Sequence, residues 1–495
     1  MAHVYDVAVI GAGLAGLTVA SNLLRTNRGL SVVLTEARDR VGGRTCTIQI
    51  DCDSGAMVHN GSRELVSAQE KGGSGRRASI DVGGQWVGLQ HSRTLELVDR
   101  FQMLLDPQVY PCVESGDERA ESAAMKTLTL VEAVNYPPIR LSDEEFEEVD
   151  GFLGYVDELA HQLDLERPWE HPQAAELDGF SLQEVIERRV KSESVQAHLS
   201  LFAQTVLSCD PGEVGFFFFL VYLISGGGFE ALGDGEQGAQ KWKIVGGTQQ
   251  LSSRMHEEFS ALGGRSFFLS PVSRVAACSD GYAVTAGDRV VRARKVVLAL
   301  SPMLAGRIQF DPALPEEKQK LCDGFIRPCC IKVFALYDRH FWLDPQSSLE
   351  VPHFSELGPV HNVFHAALGP DLFALVGLIT GAEARQISEQ NLSQEQLKEL
   401  VLGQYRAMYG PSALKAQGFF AHDWTQEEHS GGCFASLLPK NVLSKYGPWL
   451  RKPFAGLHWC STETAEMYCG YFEGAIRSGD RVTREILDDL SRSRL

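Results

Sequence analysis

Three glycines, two basic side chains and an acid carry the first chemical signal in this chain. Gly11, Gly13 and Gly16 form G-x-G-x-x-G, directly after the apolar run VYDVAVI at 4–10 and ahead of a leucine stripe at 14, 17, 23 and 24. In that setting the first glycine makes a tight turn, the second lets the backbone approach a pyrophosphate, and the third lets helix pack on strand. The phosphates then meet the free N–H groups and positive dipole end of the helix. Glu36 follows the third glycine by twenty residues, at the end of the apolar run SVVLT, where a carboxylate accepts from ribose hydroxyls. Residues 38–45 read RDRVGGRT, so Arg38, Gly43 and Arg44 form a second glycine turn flanked by guanidinium groups suited to a phosphate or ring. This constellation specifies a dinucleotide and leaves NAD and FAD both open.

Two further residues are out of place unless they have partners. Lys332 sits within the apolar run CCIKVFALY at 329–337, and a lysine there is costly without water or a hydrogen-bond acceptor. Cys433 closes S-G-G-C at 430–433, nine residues after Trp424. The eleven cysteines, Cys433 included, form neither a C-x-x-C pair nor a regular framework. That pattern fits a reducing compartment, and no metal-ligand spacing appears.

The elements that must position these residues follow from periodicity. Strand, glycine turn, helix and second strand occupy the first 36 residues as one β-α-β unit. Residues 140–200 carry charge at helical spacing and read as amphipathic helices. Residues 265–300 turn to strand patterns, 384–408 return to helix, and 470–490 read as a final helix. The apolar run at 214–224 is too short for a membrane span and reads as core or cavity wall. Residues 51–80 are rich in Gly and Ser, with no Phe, Tyr or Trp, and read as a mobile surface excursion. A length of 495 residues needs about three domain-sized units or two large interleaved ones. The net charge of −18 makes nucleic acid and anionic membrane surfaces poor partners.

Taken together, GAGLAG, EARDRVGGRT, and DVGGQWVG at 81–88 resemble the flavin amine oxidase superfamily. QKWKIVGGTQQL at 240–251, SPVSRV at 270–275, IKVFALYDRHFW at 331–342 and STETAEMYCGYFEGAIRSGDRV at 461–482 continue the resemblance along nearly the whole chain. WTQEEHSGGC at 424–433 is most similar to the monoamine oxidase branch. The resemblance implies an α/β fold, in which a Rossmann-type FAD-binding domain (1–105, 246–320, 427–495) interleaves with an α+β substrate domain (106–245, 321–426). It implies FAD joined to Cys433 through a thioether. Gly84, Gln85, Trp86, Val272, Trp424, Glu463 and Phe472 would contact the cofactor, Glu463 meeting the ribityl chain or a neighbouring backbone.

The implied reaction removes a hydride equivalent from the carbon next to an amine nitrogen, and the imine then hydrolyses to aldehyde and ammonia. Oxygen is the acceptor and gives hydrogen peroxide. An apolar pocket supplies the neutral amine this needs, because burial disfavours the ammonium. By the same resemblance Phe434 and Tyr471 face the nitrogen. Phe434 departs from the branch's usual pair of tyrosines, though it still offers a π face. Lys332 would hold the water that promotes the reaction with oxygen. Phe202, Val206 and Gln240 would line the substrate cavity. A polyamine or N-acetylpolyamine oxidase is the alternative, with Glu230 and Glu236 as candidate second anchors. A non-catalytic flavin scaffold or sensor is the alternative of another class. The expected partners are a small amine and molecular oxygen, with a homodimer compatible with the pattern. No membrane anchor is expected. Ser493, Arg494 and Leu495 resemble a peroxisomal address, so an import receptor and a peroxisomal location are expected, with the cytoplasm as the alternative.

Overall fold

The computed structural model describes residues 3–51, 57–59, 77–108, 135–232, 238–343, 354–369 and 371–492. Its first unit is the expected one: β1 (Val4–Ile10), α1 (Leu14–Thr26) and β2 (Val32–Thr35). β1 pairs in parallel with β2 on one side and with the strand Arg289–Leu298 on the other. Val7, Ala8 and Val9 are fully buried, as a parallel strand covered on both faces must be. The sheet runs outward through Arg265–Phe267 on the β2 side. On the other side it passes through Gly281–Ala286 and Val272–Cys278 to Gln309–Asp311, while Leu457–Trp459 also pairs with Arg289–Leu298. Strands distant in sequence therefore complete a Rossmann-type layer. α1 packs against the helices Gln249–Ala261 and Phe472–Arg492.

A second, mainly antiparallel sheet has the strand order Gly418–Asp423, Cys330–Tyr337, Leu372–Thr380, Asn362–Gly369, Phe354–Ser355, Asn135–Tyr136. All eight residues of Cys330–Tyr337 are buried, so its two faces need separate covers. Ile331, Val333, Ala335 and Tyr337 pack with Val401, Tyr405 and Met408 of the helix Gln394–Tyr409. The alternate residues Cys330, Phe334 and Leu336 pack with Ile48, Ile50, Ala78, Ile80, Trp424 and Cys433. The period of two along a strand therefore puts Lys332 on the same face as Cys330, turned towards Cys433.

The remaining helices form a third body of core around Phe216–Ser225, including Asp143–Ala160, Leu182–Arg189 and Glu193–Leu207. The apolar run at 214–224 is core, and its Tyr222 also reaches a cavity wall, the two roles its length left open. The helical span 384–408 is two helices, Gly381–Gln390 and Gln394–Tyr409, separated at Asn391, whose φ of 50° leaves the helical region. Asparagine tolerates that left-handed conformation better than most side chains.

The expected excursion at 51–80 is narrower than the composition suggested. Arg77–Asp81 pairs along its whole length with Thr47–Asp51, and Met57–His59 pairs with the other edge of Thr47–Asp51. Ala78 and Ile80 face the apolar cluster, and that apolar face is what pins the end of the excursion. Residues 52–56 and 60–76, with Glu236 and residues 493–495, lie outside the described residues. Among the described residues no helix is long and apolar enough to cross a membrane.

Candidate active site

One cavity of about 470 Å³ lies between the two sheets. At one end it meets the glycine turn. Gly11 has φ of +104° and carries β1 into α1. A Cβ on Gly16 would stand 2.0 Å from the Gly11 carbonyl oxygen, so this glycine permits the helix to sit on the turn. On Gly13 the nearest atom to an added Cβ is 3.9 Å away, which leaves room for a ligand to come against the backbone. Gly13 is also the N-cap of α1 and offers no side chain to the first helical N–H groups. Glu36 is buried; it accepts from Ala12 N at 2.8 Å and Arg38 N at 2.9 Å, which fixes the carboxylate beside the turn. Val272 lines the same end, next to Ser270 and Pro271. Arg38 is held by Glu427 at 2.6 Å and Ser430 Oγ at 2.9 Å.

Arg44 and Glu463 lie 419 positions apart and form one unit. The guanidinium donates to the carboxylate through both Nη atoms, at 2.7 and 3.1 Å, and to the Phe434 carbonyl at 2.9 Å. Ser436 N donates to the same carboxylate at 3.1 Å. Burial works against both charges; their mutual attraction outweighs it, so Arg44 is raised and Glu463 lowered from their ordinary values. Both Nη atoms of Arg44, which the sequence offers to a phosphate, are thus taken by Glu463, and Nη1 also reaches the segment that carries Cys433 and Phe434. Glu463 meets a backbone and an arginine, the second of the two roles expected for it. Its carboxylate does not belong to the cavity wall.

At the other end Lys332 is 3% exposed and well satisfied. Its Nζ donates to Asp81 O at 2.7 Å, Gly83 O at 3.0 Å and the side-chain oxygen of Gln85. Burial lowers its pKa to about 8, with the Asp81 carboxylate opposing. Gln85 therefore acts on the cavity through the lysine as well as by lining it. Gly84 is pressed against the Phe472 ring, which an added Cβ would meet at 2.6 Å. The Trp86 ring lies 4.6 Å from Phe364 and its Nε1 donates to Gln108. Trp424 is fully buried, its Nε1 donating to Val82 O at 2.7 Å.

Cys433 and Phe434 come from the turn after Trp424, where Gly431 and Gly432 have φ of +70° and +103°. Burial pushes the Cys433 thiol up to about 11, with Arg44 and Lys332 pulling the other way. Tyr471 precedes the helix Phe472–Arg492. Thr462 Oγ1 donates to its carbonyl at 3.0 Å, and Glu473, two residues on, is locked by Thr94 N and Arg477. Lys332, Cys433, Phe434 and Tyr471 all line the cavity, as do Phe202 and Val206 from the helical body and Gln240 from the turn before the strand Trp242–Ile244. Glu230 is exposed on the short helix Phe229–Leu232 and does not line it. The sequence reading missed Thr205, Cys330, Asn362 and Phe364, which also line it, and covered Tyr222 only within the run at 214–224. Their only sequence signal is burial in apolar runs, which does not separate wall from core. Among the described residues no cluster of His, Cys, Asp or Glu has metal-binding geometry.

The profile described as "Flavin containing amine oxidoreductase" matches residues 14–487. The chain belongs to the flavin-containing amine oxidoreductase family. A probable flavin-containing monoamine oxidase A of Dictyostelium discoideum is 29% identical over the full length of both chains. The flavin-containing amine oxidase A of Canis lupus familiaris is 28% identical over 99% of this chain and 86% of its own. Among solved structures, a putrescine oxidase bound to putrescine superposes with a TM-score of 0.80 at 28% identity, covering 98% of this chain and 99% of its own. Cyclohexylamine oxidase from Brevibacterium oxydans IH-35A gives 0.79 at 26%, covering 99% and 100%. The protein is thus an enzyme of flavin-dependent amine oxidation, with the Rossmann-type and substrate domains of that fold. The residues present fit FAD: open backbone at Gly13, an uncapped helix N-terminus, Glu36 beside them and a cavity continuing to Lys332.

Proposed function

We propose that the protein is an oxygen-dependent monoamine oxidase whose FAD is joined to Cys433. The observation that carries this reading is the meeting of Lys332 and Cys433. They are 101 positions apart in the sequence, yet both line one cavity that runs back to Gly11 and Glu36. Gly11, Gly13, Gly43 and the first turn of α1 would hold the pyrophosphate, Glu36 the ribose, and Val272 the adenine side. Cys433, Trp424, Gly84 and Phe472 would hold the ring end. When bound, the flavin accepts the hydride equivalent from the carbon beside the amine nitrogen and yields the electrons to oxygen, giving peroxide.

The rest of the work belongs to side chains. Walls from Phe202, Val206, Phe364 and Leu378 exclude water and favour the neutral amine. Phe434 and Tyr471 present π faces that attract a partly positive nitrogen. Lys332, its three N–H groups taken up by Asp81 O, Gly83 O and Gln85, holds a titratable amine at one place in an otherwise apolar face. Its lowered pKa lets it exchange a proton near neutral pH, as the return of electrons to oxygen requires. The long-amine alternative loses one anchor, since Glu230 is exposed and outside the cavity.

The test has two arms. Phenethylamine added under nitrogen should bleach the flavin, and air should restore the colour with release of peroxide. An unbleached flavin would reject the oxidase. After denaturation the colour should stay with the wild-type polypeptide and leave that of Cys433→Ala. Free FAD recovered in full from wild type would reject the thioether.

A further inference from the structure

The six-stranded sheet contributes one cross-strand row to the cavity. Lys332 pairs with Leu378, Leu378 with Asn362, and Asn362 with Phe354, all in antiparallel register. Residues directly opposite in such pairs point to the same face, and all four line the cavity. Neighbouring strands are about 4.8 Å apart, which places Asn362 roughly 10 Å along the row from Lys332. Phe364, two residues on and on the same face, covers one flank and leans on Trp86.

Asn362 is 1% exposed, and neither its Oδ1 nor its Nδ2 meets a hydrogen-bond partner among the described residues. A buried carboxamide between Leu378, Phe354 and Phe364 is costly unless something hydrogen-bonds it. Its two atoms offer one acceptor and two donor hydrogens but no charge. A second ammonium would gain only an amide dipole there, whereas a neutral group that both donates and accepts would satisfy both atoms.

We propose that Asn362 is the distal substrate anchor, selecting monoamines that carry a neutral hydroxyl or amide at the end away from the reacting nitrogen. This rests on the oxidase reading above. Anaerobic bleaching by phenethylamine reports that reading alone, while a selectivity ratio reports the anchor.

The experiment measures kcat/KM for tyramine against phenethylamine, and for N-acetyl-1,6-diaminohexane against hexylamine, in wild type, Asn362→Leu and Asn362→Asp. Wild type should favour the polar member of at least one pair by about tenfold or more, the scale of a buried hydrogen bond gained against one left unmade. The favoured pair distinguishes hydroxyl from amide. Asn362→Leu should erase or invert that preference. Asn362→Asp should transfer it to 1,6-diaminohexane, whose second ammonium would meet a carboxylate; this gain keeps the test decisive if the leucine variant folds poorly. No preference in wild type for either pair, or a selectivity ratio in Asn362→Leu unchanged from wild type with no gain for the diamine in Asn362→Asp, would overturn the anchor even if every amine is oxidised.

Discussion

The two ends of the cavity are made of different material. At the nucleotide end the wall includes backbone from two short glycine segments: Gly11, Gly13 and the start of α1, and Gly42–Gly43. At the amine end it is side chain, drawn from Lys332, Asn362, Phe434 and Tyr471 on four separate segments and from three helices of the helical body. The first end tolerates no added atom at its tightest points, because carbonyl oxygens cannot move aside. The second end depends on how distant elements are clamped together, and above all on buried polar atoms that need partners. Damage should therefore be abrupt at one end and graded at the other.

The sharpest test of that contrast is Gly16→Val. The added Cβ would overlap the Gly11 carbonyl oxygen, so helix and turn cannot both keep their places. A loss above about 4 kcal/mol is expected, seen as apoprotein without flavin colour or as failure to fold. Retained flavin and an unchanged Tm would show that the turn can yield.

The clamp at the amine end should cost less. Arg44→Met leaves the Glu463 carboxylate buried without its cation, which typically costs about 3–5 kcal/mol. Replacing both partners by methionine should recover part of that in thermal unfolding. If the single and double variants are equally destabilised, the pair does not act as a unit.

The smallest expected effect is a pH dependence. Burial takes Lys332 from its ordinary 10.5 down to about 8. Below pH 8 the lysine is charged in both folded and unfolded chains and adds no slope. Between about pH 8 and 10.5 the unfolded chain binds the extra proton, so stability rises with pH, by up to ~1.4 kcal/mol per unit for one proton. Above that range the slope ends. Apoprotein unfolding in urea should show this rise in wild type relative to Lys332→Met. Parallel curves would mean that the lysine keeps its proton in the folded apoprotein.

Read along the chain, the two ends differ in legibility as they differ in construction. The glycine turn and Glu36 lie within one β-α-β unit, and their chemistry follows from local backbone geometry and helix polarity, whereas the role of the S-G-G-C segment is read from its resemblance to the family. Lys332 stood out because a charge in an apolar strand demands partners. Asn362 gave no such signal, since HNVFHAAL reads as an unremarkable strand. The helical span at 384–408 showed its period but hid the break at Asn391. At 51–80, composition hid the strand Arg77–Asp81, which pairs in full with Thr47–Asp51.

The sequence by itself determined the strand–turn–helix that opens the nucleotide site, the period-two strand that turns Lys332 and Ile331 to opposite faces, and the family. Those properties depend on residues within a few positions of one another. Only the tertiary structure decided which carbonyls receive the lysine, that Arg44 reaches Glu463, and that Lys332, Leu378 and Asn362 share one row. Strand register is fixed by pairing between distant segments, and a slip of one residue would turn every side chain to the other face.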